Sequence, residues 1–566
     1  MERVNCRGTS MEYVGFEHKN SANGEPVRDL IKTRPKKYGL IWEEKQELVV
    51  KLCKEKLPVL IEDKTKEIVN TESPEVNVMI EGDNYHALSI LNYTHEKKID
   101  VIYIDPPFNT GNKNWKYNND YVDKEDAFRH SKWLSMMDKR LRLAKPLLKD
   151  DGVLVCAIDE NELWHLGTLL EEIFFDKEIH LITIVHNPRG IQGKNFSYVN
   201  EFAFFVIPKG KKVIGPRKLE EDEIYWSNLR NWGGESDRSD AKNCFYPIMV
   251  KGSEIIGFGD VPDESFHPSG QVQIEKDYNL VWPIDISGQE KKWRYARQSV
   301  ESIRDLLRVR KGSNGRIEIE IGKPYGTVKT VWQNPKYDAA EYGTKLIHEL
   351  VPNNNFEFPK SVYNVYDCIA PIVDDKKEAI ILDFFAGSGT TGHAVMMLNM
   401  KDGGSRQFIL CTNNENGIAE EICYPRIKAA ISGNEKYKEI TGYPANLKYF
   451  KTDFVDSTPT DLNKKNLVDR STEMLCLKEN CFNFIKGDSN FKIFSGHSDK
   501  YLAVIYDDDG IKKLKAEISK LNKKFSVYVF SLDEGVKEDD FEEIAELVDL
   551  KAIPASILNV YKRIYK

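Results

Sequence analysis

Four consecutive residues, Asp105-Pro106-Pro107-Phe108, are of the types needed to activate an exocyclic amine on a nucleobase. Such an amine is a poor nucleophile because its lone pair is delocalised into the ring. A catalyst must therefore set hydrogen-bond acceptors against its protons. The Asp105 carboxylate and the Pro106 carbonyl supply them, and both would stabilise the positive charge that grows as the nitrogen becomes tetrahedral. Phe108 adds a stacking face for a base taken out of a duplex, inside which the amine is out of reach. Two successive prolines fix φ and end a sheet ladder, so the loop is expected to be rigid.

A second motif runs Asp383-Phe384-Phe385-Ala386-Gly387-Ser388-Gly389-Thr390-Thr391-Gly392. Gly387 and Gly389 allow a backbone to approach a ligand closely. With Gly392 they satisfy Gly-x-Gly-x-x-Gly, and Glu415 follows 23 residues later, so a dinucleotide-binding dehydrogenase is a competing reading. Against it, the motif lies far down the chain, behind a complete α/β segment with its own Pro-Pro loop. No readable His-Asp or Tyr-x-x-x-Lys pair accompanies it.

Both motifs follow short apolar runs. Strands are predicted at 99–104, 152–158, 201–207, 379–382 and 407–412, and helices at 133–148 and 391–400. Continuous Val/Ile/Leu/Phe strands separated by helices predict a parallel sheet covered on both faces, whose carboxyl ends bind ligands. Residues 1–76 form an N-terminal helical extension, with a helix over 43–57 stopped by Pro58. Residues 77–208 are one half of the α/β domain and 343–447 the other. Between them, 209–342 is rich in Gly, Pro, Trp and Arg and is expected to be an inserted domain. Residues 448–566 form a separate small α/β unit, with strands at 501–506 and 525–530 and helices at 511–521 and 540–547.

The chain has 566 residues, too many for one core, and 30% of them are charged. No apolar run approaches the roughly 18 residues of a membrane helix, so no membrane partner is expected and the location is expected to be cytoplasmic. The nine cysteines are scattered, which suggests neither a disulfide framework nor a metal site. No Pro-Cys dipeptide supplies the thiolate that cytosine C5 methylation needs. A net charge of −8 conceals a local excess of Lys and Arg between Lys291 and Arg316, with Trp293 and Tyr295 inside it, able to track a phosphate backbone and stack on bases.

Taken together, these residues resemble the amino-methyltransferases of DNA, which pair an Asp-Pro-Pro-aromatic loop with a Phe-x-Gly-x-Gly loop. The catalytic motif comes first here, the permuted order of the family's beta group. More closely, the chain resembles the modification subunits of type III restriction-modification systems. That likeness rests on Glu81-Gly82-Asp83-Asn84, on residues 102–112, on Trp133-Leu134-Ser135-Met136-Met137 with Arg140-Leu141, on Gly152-Val153 to Ile158-Asp159-Glu160, on Arg294-Tyr295-Ala296-Arg297 and on Phe358-Pro359-Lys360, and spans roughly residues 77–450.

The resemblance implies a Rossmann-like sheet, S-adenosylmethionine as cofactor, and methyl transfer to adenine N6 of double-stranded DNA. Asp105, Pro106, Pro107 and Phe108 would hold the target amine. Phe385, Gly387 and Gly389 would line the methionine end of the cofactor, with Asp383 positioning their loop. Glu415 would take the ribose hydroxyls, Asp83 the adenine amine, and Lys360 would face the carboxylate. Phe108 stands where Tyr is commoner, and both rings stack.

In such proteins the inserted region reads sequence, which makes Arg230, Trp232, Arg238, Lys242, Arg294, Arg297 and Trp332 the candidates for contacting DNA. The resemblance also implies a homodimer and a separate nuclease-translocase (restriction) subunit, since no Gly-x-x-x-x-Gly-Lys-Ser/Thr loop occurs in this chain. Methylation of cytosine N4 or another amine, and a binding module without catalysis, are the alternatives. Asp rather than Ser or Asn before Pro-Pro speaks against the first, and the intact Asp105 and glycine loop against the second.

Overall fold

The computed structural model describes residues 41–565 apart from 71–72, 74, 111–127, 193–194, 220, 313–314, 434–441, 498 and 533–534. Its centre is a ten-stranded sheet. We label the strands β1 (Lys56–Glu62), β2 (Val76–Glu81), β3 (Ile99–Ile104), β4 (Leu148–Ile158), β5 (Lys177–Val185), β6 (Asn200–Pro208), β7 (Val331–Trp332), β8 (Ile380–Asp383), β9 (Gln407–Thr412) and β10 (Asn446–Asp456). Their spatial order is β1-β10-β2-β9-β8-β3-β4-β6-β5-β7. The run β10-β2-β9-β8-β3-β4 is parallel, and β3, β8 and β9 read as nearly continuous apolar stretches because both faces are covered.

The all-parallel expectation needs correction at β6. It runs antiparallel between β4 and β5, because the chain enters it from β5 without a crossover helix.

The covering helices are α1 (Leu48–Glu55), α2 (Asn84–Thr94), α3 (Arg129–Ala144), α4 (Leu163–Ile173), α5 (Val362–Val373), α6 (Thr390–Asp402) and α7 (Tyr424–Ser432). Ile369 and Ile372 of α5, Val395 of α6 and Ile427 of α7 pack with Val101, Ile381 and Leu410 of the sheet in one core. The helix expected over 43–57 is shorter, Leu48–Glu55, and Pro58 lies inside β1, which begins at Lys56 directly after that helix. That strand pairs on one side alone, with β10, an edge where a missing N–H is tolerated. Of the segment 1–76 read as a helical extension, residues 1–40 lie outside the described residues, and the remainder contributes a strand to the main sheet.

Between β6 and β7 the chain makes small antiparallel sheets. Trp226–Asn228, Ile317–Gly322 and Leu307–Lys311 form one of them. Glu254–Phe258, Ile248–Lys251, Asn279–Val281 and Val272–Ile274 form another. Leu229, Tyr246, Ile248, Trp293 and Ile319 are among the residues of a core separate from that of the main sheet. The sheet resumes at Val331, earlier than the boundary at 342 read from composition, because β7 lies parallel to β5.

After β10 a five-stranded sheet follows, ordered Cys481–Gly487, Phe491–Gly496, Tyr501–Ile505, Phe525–Phe530 and Val548–Ile553. It is docked on the body of the main sheet: the Tyr561 hydroxyl donates to the Pro58 carbonyl at 2.6 Å, and Lys478 Nζ to that of Tyr93 at 2.6 Å. Among the described residues no helix is long and apolar enough to cross a membrane.

Candidate active site

The carboxyl ends of β2, β9, β8 and β3 bring Asp83, Glu415, Asp383 and Asp105 to one edge of the sheet. Pro106 and Pro107 stop the β3 ladder immediately after Asp105, as their chemistry requires. Trp133 of α3, itself buried, donates its indole N–H to the Pro107 carbonyl at 2.6 Å and so fixes the loop from below. Asn109 closes the loop in the left-handed region, with φ 60°, and is buried. Its amide donates to the Glu162 carboxylate, which also accepts from His130 Nδ1 at 2.7 Å.

His130, Glu162 and His165 are a group whose ligand atoms all lie within 4.8 Å of one another, a metal-capable set the sequence reading missed. The two imidazoles are stacked at 4.4 Å and 27°, so they do not both aim a ring nitrogen in plane at one ion. The cluster is better explained as a brace behind Asn109.

Asp105 is partly exposed at the surface of the loop, with Lys360 Nζ 3.3 Å from Oδ1. Lys360 also donates to Glu201, and its ammonium lies 4.3 Å from the centre of the Phe108 ring. Glu201, buried on β6, accepts a second hydrogen bond from Asn364 at 2.6 Å. Burial pushes the Asp105 carboxyl up to about 6, against the opposing pull of the Lys360 ammonium. The two neighbouring carboxylates hold Lys360 above the ordinary lysine range although burial works the other way. Glu201 went unnoticed in sequence as a site residue because it is one acid at the start of an apolar strand.

Asp383 organises the glycine turn. Its carboxylate accepts from Phe385 N at 2.9 Å and from Thr391 Oγ1 at 2.5 Å, and burial pushes it up to about 7. Gly387 and Gly389 have φ of 52° and 80°, which L side chains adopt only with strain. A Cβ on Gly389 would stand 3.0 Å from Cys423 Sγ. Behind the turn, the fully buried Arg426 donates to Ser388 Oγ at 2.9 Å and Thr390 Oγ1 at 2.7 Å. It was missed because a single Arg in an apolar run has no local signature. Asp83 caps α2, accepting from Tyr85 N at 2.7 Å, and Asn84 donates to the Phe384 carbonyl at 3.0 Å, joining that cap to the second motif.

Two cavities meet at Pro107 and Phe385, which line both. One, of about 230 Å³, holds Asp83, Glu415 and Thr412. The other, of about 840 Å³, holds Asp105, Phe108, Gly387 and Lys360. Seven carboxylates line the larger one (Asp105, Asp159, Glu160, Glu201, Asp338, Glu357 and Asp383), and among the described lining residues Lys360 is the one Lys or Arg. Such a field repels a pyrophosphate and favours a cation or a neutral base, which weighs against the dehydrogenase reading.

The DNA-contact candidates divide. Trp232 is 72% exposed, and Arg294 is exposed with one contact to Ser227 Oγ at 3.0 Å. Lys242 pairs with Glu264 at the surface. Arg230 is partly buried in a bridge to Trp293. Arg238 is spent on the Phe266 and Asp263 carbonyls and Glu290, and Arg297 on the Phe258 and Gly259 carbonyls.

Trp332 is corrected. It lies in β7, 6% exposed, its indole bonded to the Lys329 carbonyl at 2.7 Å and its ring beside Phe205 and Tyr337. Trp293, expected inside a basic stacking surface, is likewise a core residue of the insert, donating to the Tyr246 carbonyl at 2.8 Å.

The sequence pattern of a family described as DNA methylase matches residues 99–440. The chain is 31% identical over 422 residues to type II methyltransferase M.KpnI of Klebsiella pneumoniae, covering 70% of this chain and 92% of that protein. It is 29% identical over 407 residues to the type III restriction-modification enzyme EcoPI Mod subunit of Escherichia phage P1, covering 63% of this chain and 60% of that subunit. A solved structure of the M1.HpyAVI–SAM complex aligns with 62% of this chain and 97% of its own, at 13% identity and a TM-score of 0.28.

Proposed function

This chain belongs to the DNA methylase family, and from that premise we propose that it transfers a methyl group from S-adenosylmethionine to adenine N6 in double-stranded DNA. The observation that carries the reading is the acceptor loop Asp105–Phe108 set in an acidic cavity beside a left-handed glycine turn. The cofactor fits the residues present. Acidic Asp83 and Glu415 face the smaller cavity, where hydroxyl and amine donors of a nucleoside are matched by carboxylate acceptors. The larger cavity, whose described charged lining residues are all acidic but Lys360, suits a sulfonium. When bound, the cofactor supplies an electrophilic methyl group.

The protein's part is to receive and activate the base. Phe108 stacks on the flipped adenine, and the Asp105 carboxylate and Pro106 carbonyl accept its two amine protons. The Pro107 carbonyl is already committed to Trp133, which leaves its neighbour as the loop's acceptor. As the amine gains the methyl group and its positive charge, Asp105 would take up the proton that it gives up. Lys360 and Glu201 position that carboxylate rather than touch the base, a different role from the carboxylate contact expected for Lys360.

Incubating the chain with DNA and labelled cofactor, then digesting to nucleosides, tests the reading. N6-methyladenine is expected; N4-methylcytosine in its place would overturn the adenine assignment.

By likeness to the Mod subunit we further propose that the inserted region reads the target sequence. The chain would serve as a modification subunit, self-associating as a dimer and docking a separate restriction subunit. Light scattering should show twice the chain mass, and a monomer that methylates normally would remove the dimer.

A further inference from the structure

The start of α1 and the residues just ahead of it have no part in the scheme above, yet residues 45, 47, 48 and 49 line the smaller cavity together with Pro107 and Phe385. They are held there by α3. Lys45 N donates to Ser135 Oγ at 2.9 Å, Lys139 Nζ to the Lys45 carbonyl at 2.6 Å, and Arg140 Nη1 to Glu47 Oε2 at 2.8 Å. Arg140 is buried. Its guanidinium also donates to Asn84 Oδ1 and stands 3.4 Å from Asp83, so one side chain ties this segment to the cap of α2.

Two side chains of the segment are unusual for a mere anchor. The Glu47 side chain is nine-tenths buried, yet its Oε1 accepts no hydrogen bond, and Lys139 Nζ stands 3.6 Å from it. A buried acceptor in that state is costly unless a donor reaches it. Leu48 is 71% exposed although it lines the cavity, an apolar surface at the mouth of a polar site.

We propose that residues 45–49 are a wall of the cofactor's nucleoside subsite. Leu48 lies against the purine face, and Glu47 Oε1 accepts a hydrogen bond from the nucleoside, sharing its donors with Asp83 and Glu415. The assignment rests on the cofactor reading above and gives the N-terminal extension a binding role.

Titration calorimetry on the full chain with S-adenosylhomocysteine and with 5′-methylthioadenosine tests it. Leu48→Asp is expected to weaken both ligands by a similar factor, about tenfold, since both carry the nucleoside. Glu47→Gln, which offers amide donors where an acceptor is needed, is expected to weaken them several-fold. Leu48→Ser is a milder variant at the same exposed position, and its unliganded melting temperature should match wild type. If wild type binds neither ligand, the cofactor reading falls. If wild type binds and the Leu48 and Glu47 variants bind within twofold of it, the wall is overturned. A loss confined to S-adenosylhomocysteine would overturn it too, by placing these residues at the amino-acid end.

Discussion

The strand ends of the main sheet and the insert between β6 and β7 use charge in opposite ways. At the strand ends, acids are concentrated and outnumber cations: among the described lining residues of one cavity there are seven carboxylates and one lysine, and burial raises Asp105 and Asp383. In the insert, cations are plentiful and mostly consumed. Arg308 and Arg310 both pair with Glu320, Arg304 donates to the Ile255 carbonyl and Arg316 to that of Ile284. A small antiparallel domain lacks long regular elements to satisfy its loop carbonyls, and arginine side chains do that work instead. Counting charges therefore overstated how many of the insert's cations stand unpaired at its surface, whereas motif reading picked out the loop that lines the larger cavity.

The largest expected effect is at the strand ends. Asp105→Ala removes the acceptor for the amine proton, and kcat should fall by roughly 10²–10⁴ while S-adenosylhomocysteine still binds. Transfer within a few-fold of wild type would break the comparison at its strongest point.

Next comes pH. With Asp105 near 6, kcat/KM for DNA should fall about tenfold per pH unit below that value, because the protonated acid no longer accepts, and level off above it. Lys360→Met removes the cation that favours the ionised form and leaves Glu201 unneutralised beside it. Both changes raise Asp105 further, so the acidic limb must move to higher pH. An unmoved limb would mean that a different group titrates.

Smaller is Phe108→Ala, expected to cost about 1–3 kcal/mol of stacking on the flipped base, read from DNA affinity in the presence of S-adenosylhomocysteine. Phe108→Tyr should be nearly silent.

The subtlest contrast lies inside the insert. Arg238→Ala leaves two carbonyls and Glu290 without their donor and should lower stability by about 1–3 kcal/mol in chemical denaturation. Arg294→Ala should leave stability within about 0.5 kcal/mol and reduce the salt dependence of DNA binding by about one charge. If Arg238→Ala instead weakened DNA binding with stability intact, the arginine would be a reader and the division drawn here would fail.

What the residues alone determined is local. Ile99–Ile104 and Gln407–Thr412 were legible as strands because a strand buried on both faces is a bare apolar run. The glycine loop was legible because its conformation depends on neighbours a few residues away, as in the Asp383–Phe385 contact, and the Asp-Pro-Pro-Phe loop because two prolines set their own φ. The direction of β6, the strand following Pro58 and the burial of Trp332 and Trp293 were decided by packing, since the same apolar or aromatic residue serves a core and a binding surface equally well. Partner choice was decided there too. Lys360 finds Glu201 across 159 residues and Arg140 finds Glu47 across 93, and no spacing rule in the chain links them. A buried ion pair is specified by which elements come together, and that is set by the summed burial of the whole sheet rather than by either residue.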